Sequence, residues 1–376
     1  MRSPISRRWL MIASSLCALS LVVAACGGSD SNSSSSGSSS SSSSSAKADK
    51  VAVLLPDTKS SVRWETADRP LLQQAFKAAG VPVEIQNAQG DKSTQQQQAE
   101  QAITNGAKVL LLVNLDSGSG AAIEANAKSQ GVKVIDYDRL TLGGSADYYV
   151  SFDNVAVGKL QGQGLVNCLQ QGGGPAKPKI AELNGSPTDN NATLFAQGYN
   201  SVLNPLYKAG KATKVADQSV PDWDNQKALT IFEQMLQKES NKIDGVLAAN
   251  DGLGNAAISA IKARKLKQIP VTGQDATAEG IQNILAGDQC MTVYKAIKQE
   301  ADAASKLAIA LAKKQQPAAG LVNGKSDDTK RQVPSVLLKP QAITKDNVNV
   351  VFDDGFLKKS DVCTGKYAQL CTAAGV

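Results

Sequence analysis

The chain has 376 residues, a formal charge of +6 and no histidine, which removes Ser-His and Cys-His catalysis, His-ligated metals and an imidazole pH switch. Taking away Arg2, Arg7 and Arg8 with the first 25 residues lowers the charge to +3, so the body lacks the basic excess of a general nucleic-acid or anionic-membrane binder. The length suits two domains better than one core.

At the N-terminus Arg2, Arg7 and Arg8 flank the start of an apolar run from Trp9, which ends in Val23-Ala24-Ala25-Cys26. A charged start, a short apolar segment and small residues before a cut describe a secretory signal over residues 1–25, not a spanning helix. Cys26 after Ala24-Ala25 resembles the bacterial lipobox, which implies that Cys26 is acylated and holds the chain to the outer face of the cell membrane. Residues 27–45 are nearly all Ser with Gly, Asn and one Asp. They have nothing to bury, so 26–48 reads as a lipid-anchored flexible linker with a span of about 25 Å. With Cys17 in the signal and Cys26 at the anchor, Cys168, Cys290, Cys363 and Cys371 remain. An even remainder in an exported chain points to disulfides, with Cys363 to Cys371 preferred for its short loop and Cys168 to Cys290 possible by elimination; buried free thiols are the alternative.

After the linker, apolar runs of strand length alternate with helical patterns. Strands are expected at 50–55, 81–86, 109–114 and 132–137, with helices at 70–79, 94–105 and 120–130. Continuous apolar strands joined through helices mean a parallel sheet covered on both faces. The pattern resumes with helices at 155–170, 191–203, 225–238, 254–264 and 277–285 and strands at 179–183, 213–218, 244–249 and 270–273. Two copies of one architecture follow, since Asn114 to Asp138 and Asn250 to Asp275 are similarly spaced polar groups at successive strand ends. Extended segments at 148–152, 290–294 and 333–338, with a long helix at 296–313 between the last two, read as three crossings between lobes. The expected lobes are 49–151 plus 293–333 and 152–292 plus 334–376.

In open α/β sheets ligands bind beyond the carboxyl ends of the strands. There the chain places Asp57, Asn114, Asp138, Arg139, Asp189, Asn190, Asn191, Asn250, Asp251, Asp275 and Lys295, with Arg63, Trp64 and Trp223 in adjoining loops. Carboxylates accept a hydroxyl proton while Arg, Lys and Asn donate to the oxygen, and a flat indole covers the apolar C–H face of a sugar ring. This suits a neutral polyhydroxylated ligand. Asn114, Asp116 and Asp251 read equally well as helix N-caps. No D-x-D-x-D-G calcium loop or Cys pattern for zinc is present, and Gly143-Gly144 and Gly172-Gly173-Gly174 lack the context of a phosphate loop. No cofactor or metal is expected.

Several stretches carry a resemblance covering residues 51–361: Thr58 to Trp64, Asp136 to Arg139, Val150 to Asn154, Gly185 to Asn191, Gly273 to Ala276, Val293 to Lys295 and Val333 to Pro340. Together they resemble the periplasmic sugar-binding proteins of ABC transporters, in the branch that binds xylose and multiple sugars. The resemblance implies an α/β fold of the type I periplasmic binding protein kind: two similar doubly wound parallel-sheet domains joined by a three-segment hinge. It implies a monomeric, non-enzymatic receptor that closes on one monosaccharide, D-xylose or a related aldose, and hands it to a membrane permease. Arg63, Asp138, Arg139, Asn190, Asn250, Asp275 and Lys295 would hydrogen-bond the sugar, with Trp64 and Trp223 against its ring. Rival readings are a sugar sensor docking to a signalling receptor, a broad binder of glucose, galactose, arabinose or ribose, and a secreted carbohydrate-active enzyme using paired carboxylates. The chain departs from the family at the loop Val220 to Trp223 and at Ala248 to Asp251.

Overall fold

The structure is a computed structural model that describes residues 48–376. The signal segment, Cys17, Cys26 and the Ser-rich stretch lie outside those residues.

The first part of the chain builds a seven-stranded sheet. Its strands are β1 (Lys50–Leu55), β2 (Val83–Asn87), β3 (Ala107–Leu112), β4 (Lys133–Tyr137) and β5 (Tyr148–Phe152), joined much later by β10 (Gly324–Asp327) and β11 (Gln332–Leu338). The order is β10-β11-β5-β4-β3-β1-β2, parallel apart from the β10/β11 pair. β1 is buried from Val51 to Leu55, because helices cover both faces of a parallel sheet and leave its strands no wet side. On one face α1 (Arg69–Ala78) brings Leu72 and Phe76, and α9 (Ile297–Ala312) brings Ala304 and Leu307. On the other, α2 (Lys92–Thr104) and α3 (Ser117–Ser129) bring Ile103 and Ile123.

A second parallel sheet holds β6 (Lys179–Asn184), β7 (Thr213–Ser219) and β8 (Gly245–Ala248) in the order β7-β6-β8. It shares one core with α4 (Asn154–Gln171), α5 (Asn190–Lys208), α6 (Asn225–Lys238) and α7 (Asp251–Ala263), centred on Phe195, Tyr199 and Phe232. The fourth strand expected here, at 270–273, contracts to a single bridge between Val246 and Val271. The Thr272 hydroxyl replaces the next rungs, bonding both the N–H and the carbonyl of Ala248 at 3.0 Å. Then α8 (Ala278–Ala286), the antiparallel pair β9 (Thr292–Tyr294) and β12 (Gln341–Ile343), and the C-terminal turns enclose a small apolar cluster. The periodicity reading omits β10, β12 and the helices at 350–353, 359–362 and 367–373, which are too short to show a period.

β5 and β11 lie side by side and leave the first sheet together, and at the exit Asp153 N–H donates to Leu338 O at 2.9 Å. β9 runs separately and ends at Tyr294, directly before Lys295 and α9. The expected lobe division at residue 333 therefore falls inside a strand that stays in the first sheet to Leu338. Cys168 is bonded to Cys290, tying α4 to the approach of β9, and Cys363 to Cys371.

Candidate functional site

The carboxyl ends of the two sheets face each other across a narrow cleft. Arg63, Trp64, Asp138 and Arg139 line it from the first sheet, Trp223, Asn250 and Asp275 from the second, and Lys295 from the segment that follows β9. Of the residues expected on the site, Asn190 alone does not line it. It opens α5 half-buried, while Asn191, about 100° further round the helix, faces the cleft. Asn191 Nδ2 donates to Asp138 O at 3.0 Å, and Asn191 Oδ1 accepts from Asn154 Nδ2 at 2.8 Å.

The first rim is an ion cluster. Arg63 follows the loop after β1 and opens the wide helical turn Trp64–Asp68. Its guanidinium spans Asp68 through Nε at 2.9 Å and Nη2 at 2.8 Å, Glu300 at 2.6 Å and Asp138 at 3.0 Å. Tyr137 OH donates to Asp68 from behind at 2.5 Å. A planar fork with five donors is the side chain suited to such a junction. Asp68 and Glu300 lie in helical turns rather than at a strand end, and Tyr137, the last residue of β4, carries no charge that would mark it in the sequence. The Arg63 guanidinium also lies 4.4 Å from the Trp64 ring, so the indole is clamped by charge as well as by packing.

Lys295 closes the cluster, with Nζ 3.4 Å from Asp138 and 3.8 Å from Asp275. Burial alone would raise the Asp138 carboxyl, but the charges of Lys295, Arg63 and Arg139 outweigh it and hold its pKa well below the usual carboxylate range. For Asp275 burial wins: Lys295 and Arg63 offset it in part, Asp138 adds repulsion, and its pKa is raised. Glu300 is likewise pushed up by burial, to about 8, against the pull of Arg63.

Arg139 reaches across the cleft. Its Nη1 and Nη2 donate to Asn114 O at 3.3 Å and Ser60 Oγ at 3.2 Å, and Nε lies 3.2 Å from Asp189 Oδ2 of the other rim, out of line for a hydrogen bond. Asp189 caps α5 through Asn191 N–H and also accepts from Trp223 Nε1 at 3.1 Å. Trp223 stands on a loop with Asp222 and Trp223 both at positive φ, 60° and 54°. Its ring fits because residue 185 is glycine, where a Cβ would lie 2.0 Å from the indole. Phe195, unmarked in the sequence, meets the ring edge-on at 6.4 Å between centroids.

The other strand-end candidates act one layer back. Asp57 organises the loop by accepting from Lys59 N, Ser60 N and Ser60 Oγ. Asn114 fixes Arg139 O and Thr141 Oγ1, and Asp116 caps α3. Asn250 caps α7 through Leu253 N–H and lines the cleft as well. Asp251 is a hub: one oxygen accepts from Thr277 N and Oγ1, the other from Gln289 Nε2 and Thr292 Oγ1. Burial, against those hydrogen bonds, pushes its pKa up to about 7.

Among the described residues no group of His, Cys, Asp and Glu is placed to hold a metal ion. The cleft instead presents carboxylates, guanidinium, ammonium and amides between two indoles, which can bind hydroxyl groups on several sides at once.

Residues 51–316 match the Periplasmic binding protein domain family. The D-xylose-binding periplasmic protein of Escherichia coli is 38% identical over 321 residues, covering 84% of this chain and 93% of that protein. The multiple sugar-binding periplasmic receptor ChvE of Rhizobium radiobacter is 33% identical, covering 84% and 92%. Among solved structures, a carbohydrate transporter solute-binding protein from Chloroflexus aurantiacus in complex with D-glucose superposes with a TM-score of 0.76 at 31% identity, covering 83% of this chain and 97% of that one.

Proposed function

The chain belongs to the periplasmic binding protein family as a type I sugar-binding member, and from that premise we propose that it is an extracytoplasmic receptor for one aldose, D-xylose or a close relative, which it delivers to an ABC-type importer. As a member of this family it is a binding protein and not an enzyme. The single observation that carries the reading is the cleft itself, where charged groups of both signs and two indoles converge from two sheets on one enclosed space. A sugar hydroxyl meets donors and acceptors from both rims only when these face each other, so binding favours the closed arrangement. The paired exits of β5 and β11 and the separate passage at Tyr294 to Lys295 support a hinge of three crossings. On that division the lobes are those expected, with the last boundary moved to follow Leu338. Arg63, Asp138, Arg139, Asn191, Asn250, Asp275 and Lys295 would hold the hydroxyls, and Trp64 and Trp223 the ring.

Isothermal titration of the mature chain with pentoses and hexoses tests this: saturable binding of an aldose without turnover is expected, and conversion of an aldose or glycoside would overturn it. Acylation of Cys26 anchors the receptor to the membrane in this reading. Cys26→Ala should release it into the soluble fraction, and continued membrane fractionation would sink that part.

A further inference from the structure

Gln274 lines the cleft beside Asp275 and is 3% exposed. Its Nε2 donates to Asp275 Oδ1 at 2.7 Å. That bond identifies the two ends of the amide, since an amide oxygen turned toward the carboxylate would repel it. Gln274 Oε1 is then left buried, and no donor among the described residues satisfies it. Buried amide oxygens are ordinarily paired, and of those left unpaired among the described residues Gln274 Oε1 is the one that belongs to a residue lining the cleft.

The backbone beneath it has little freedom to find another partner. Gln274 O accepts from Asp251 N at 2.9 Å, Gly273 O accepts from Val293 N at 3.1 Å and Gln161 Nε2 at 3.3 Å, and Asp275 N donates to Val293 O at 2.9 Å. A Cβ at residue 273 would lie 2.0 Å from Asp251 Oδ1. The side chain therefore leaves a fixed backbone, with one end held by Asp275 and the other uncommitted.

We propose that Gln274 is a specificity-determining residue whose Oε1 accepts a hydrogen bond from one hydroxyl of the bound aldose while its Nε2 holds the Asp275 carboxylate in place. The inference rests on the sugar-binding reading and adds to it the residue that selects by the presence of a hydroxyl. A sugar lacking that hydroxyl would enclose Oε1 without a donor, the situation in which polar sites discriminate most strongly.

The test is calorimetric titration of the mature wild-type chain, Gln274→Met and Gln274→Asn with D-xylose and each of its monodeoxy analogues. Methionine keeps the volume without the amide, and asparagine keeps the amide but shortens its reach. In the wild type, one analogue should bind at least tenfold more weakly than xylose, and both variants should lose that particular discrimination while keeping the ratios for the other analogues. Variants that bind with wild-type ratios across the whole panel overturn the inference, whether or not overall affinity falls. A wild-type chain that binds none of these sugars overturns both the inference and the reading beneath it.

Discussion

Asp138 and Asp275 hold matching places on the two rims. Asp138 directly follows β4 and Asp275 lies four residues past the Val271 bridge, both with a positive φ, 63° and 98°, a conformation Asp tolerates better than most residues. Each donates its N–H to a carbonyl of the next extended segment, Val150 at 2.8 Å and Val293 at 2.9 Å. Their surroundings diverge. Asp138 is bonded to Arg63 and Lys295 and its pKa is held low, whereas Asp275 has an amide at 2.7 Å, an ammonium only at 3.8 Å and a raised pKa. The carboxylate of the first rim is matched by two cations as folded, whereas the second rim keeps its carboxylate under-compensated and the neighbouring Gln274 Oε1 unspent. A cleft built this way presents a stiff charged platform on one side and, on the other, groups whose best partners are the hydroxyls of a ligand.

Arg63 offers the largest break in that contrast. Arg63→Met leaves Asp68, Asp138 and Glu300 buried without their common cation and should destabilise the chain by roughly 3–5 kcal/mol, read from urea unfolding; a change below about 1 kcal/mol would put the platform on the footing of a surface pair. Beneath the second rim, Asp251 has a folded pKa of about 7 against an ordinary 3.8. The folded state thus holds a proton that the unfolded state releases, so this group's contribution to stability is full below pH 3.8 and declines as pH rises to about 7. Asp251→Asn, which can still accept from Thr277 N–H, should remove a decline of at most about 4 kcal/mol; melting curves stepped across that window that stay parallel for the two proteins would refute it.

Arg139→Ala removes the side chain that spans both rims and should cost about 2–3 kcal/mol of aldose affinity, measured by calorimetry. An unchanged affinity would take Arg139 out of the site. The smallest effect sharpens the comparison: Asp275→Asn should weaken sugar binding about tenfold, or about 1.4 kcal/mol, yet leave the sugar-free melting temperature level or higher, because it relieves a carboxylate under-compensated for its burial. A clear fall in that temperature would show Asp275 to be as fully paired as Asp138.

Much of this site was legible because strand ends can be read from apolar runs, and a parallel sheet sends its ligand groups to those ends. Asp138, Arg139, Asn250 and Asp275 were found that way. The strand end names Asn190 and Asn191 together and the family resemblance implies Asn190, whereas it is Asn191 that lines the cleft, because adjacent helical positions differ by about 100° in direction. Ser60, Phe195 and Gln274 were not singled out for the site because nothing local distinguishes a cleft-lining Ser, Phe or Gln from any other. Glu300 was invisible for a stronger reason, lying 237 positions from the Arg63 it contacts.

Alternation of strand and helix, the doubled architecture, the absence of imidazole chemistry and the polar strand ends all followed from residue order, because each is a short-range pattern of side-chain type. Only the tertiary structure decided which of two adjacent asparagines faces the cleft, which carboxylates share Arg63, and why Asp138 and Asp275 differ in charge affinity. These depend on burial and on partners brought together by the return of α9, β9 and β11, and electrostatic energies in a buried cleft are set by distances that no local stretch of sequence contains.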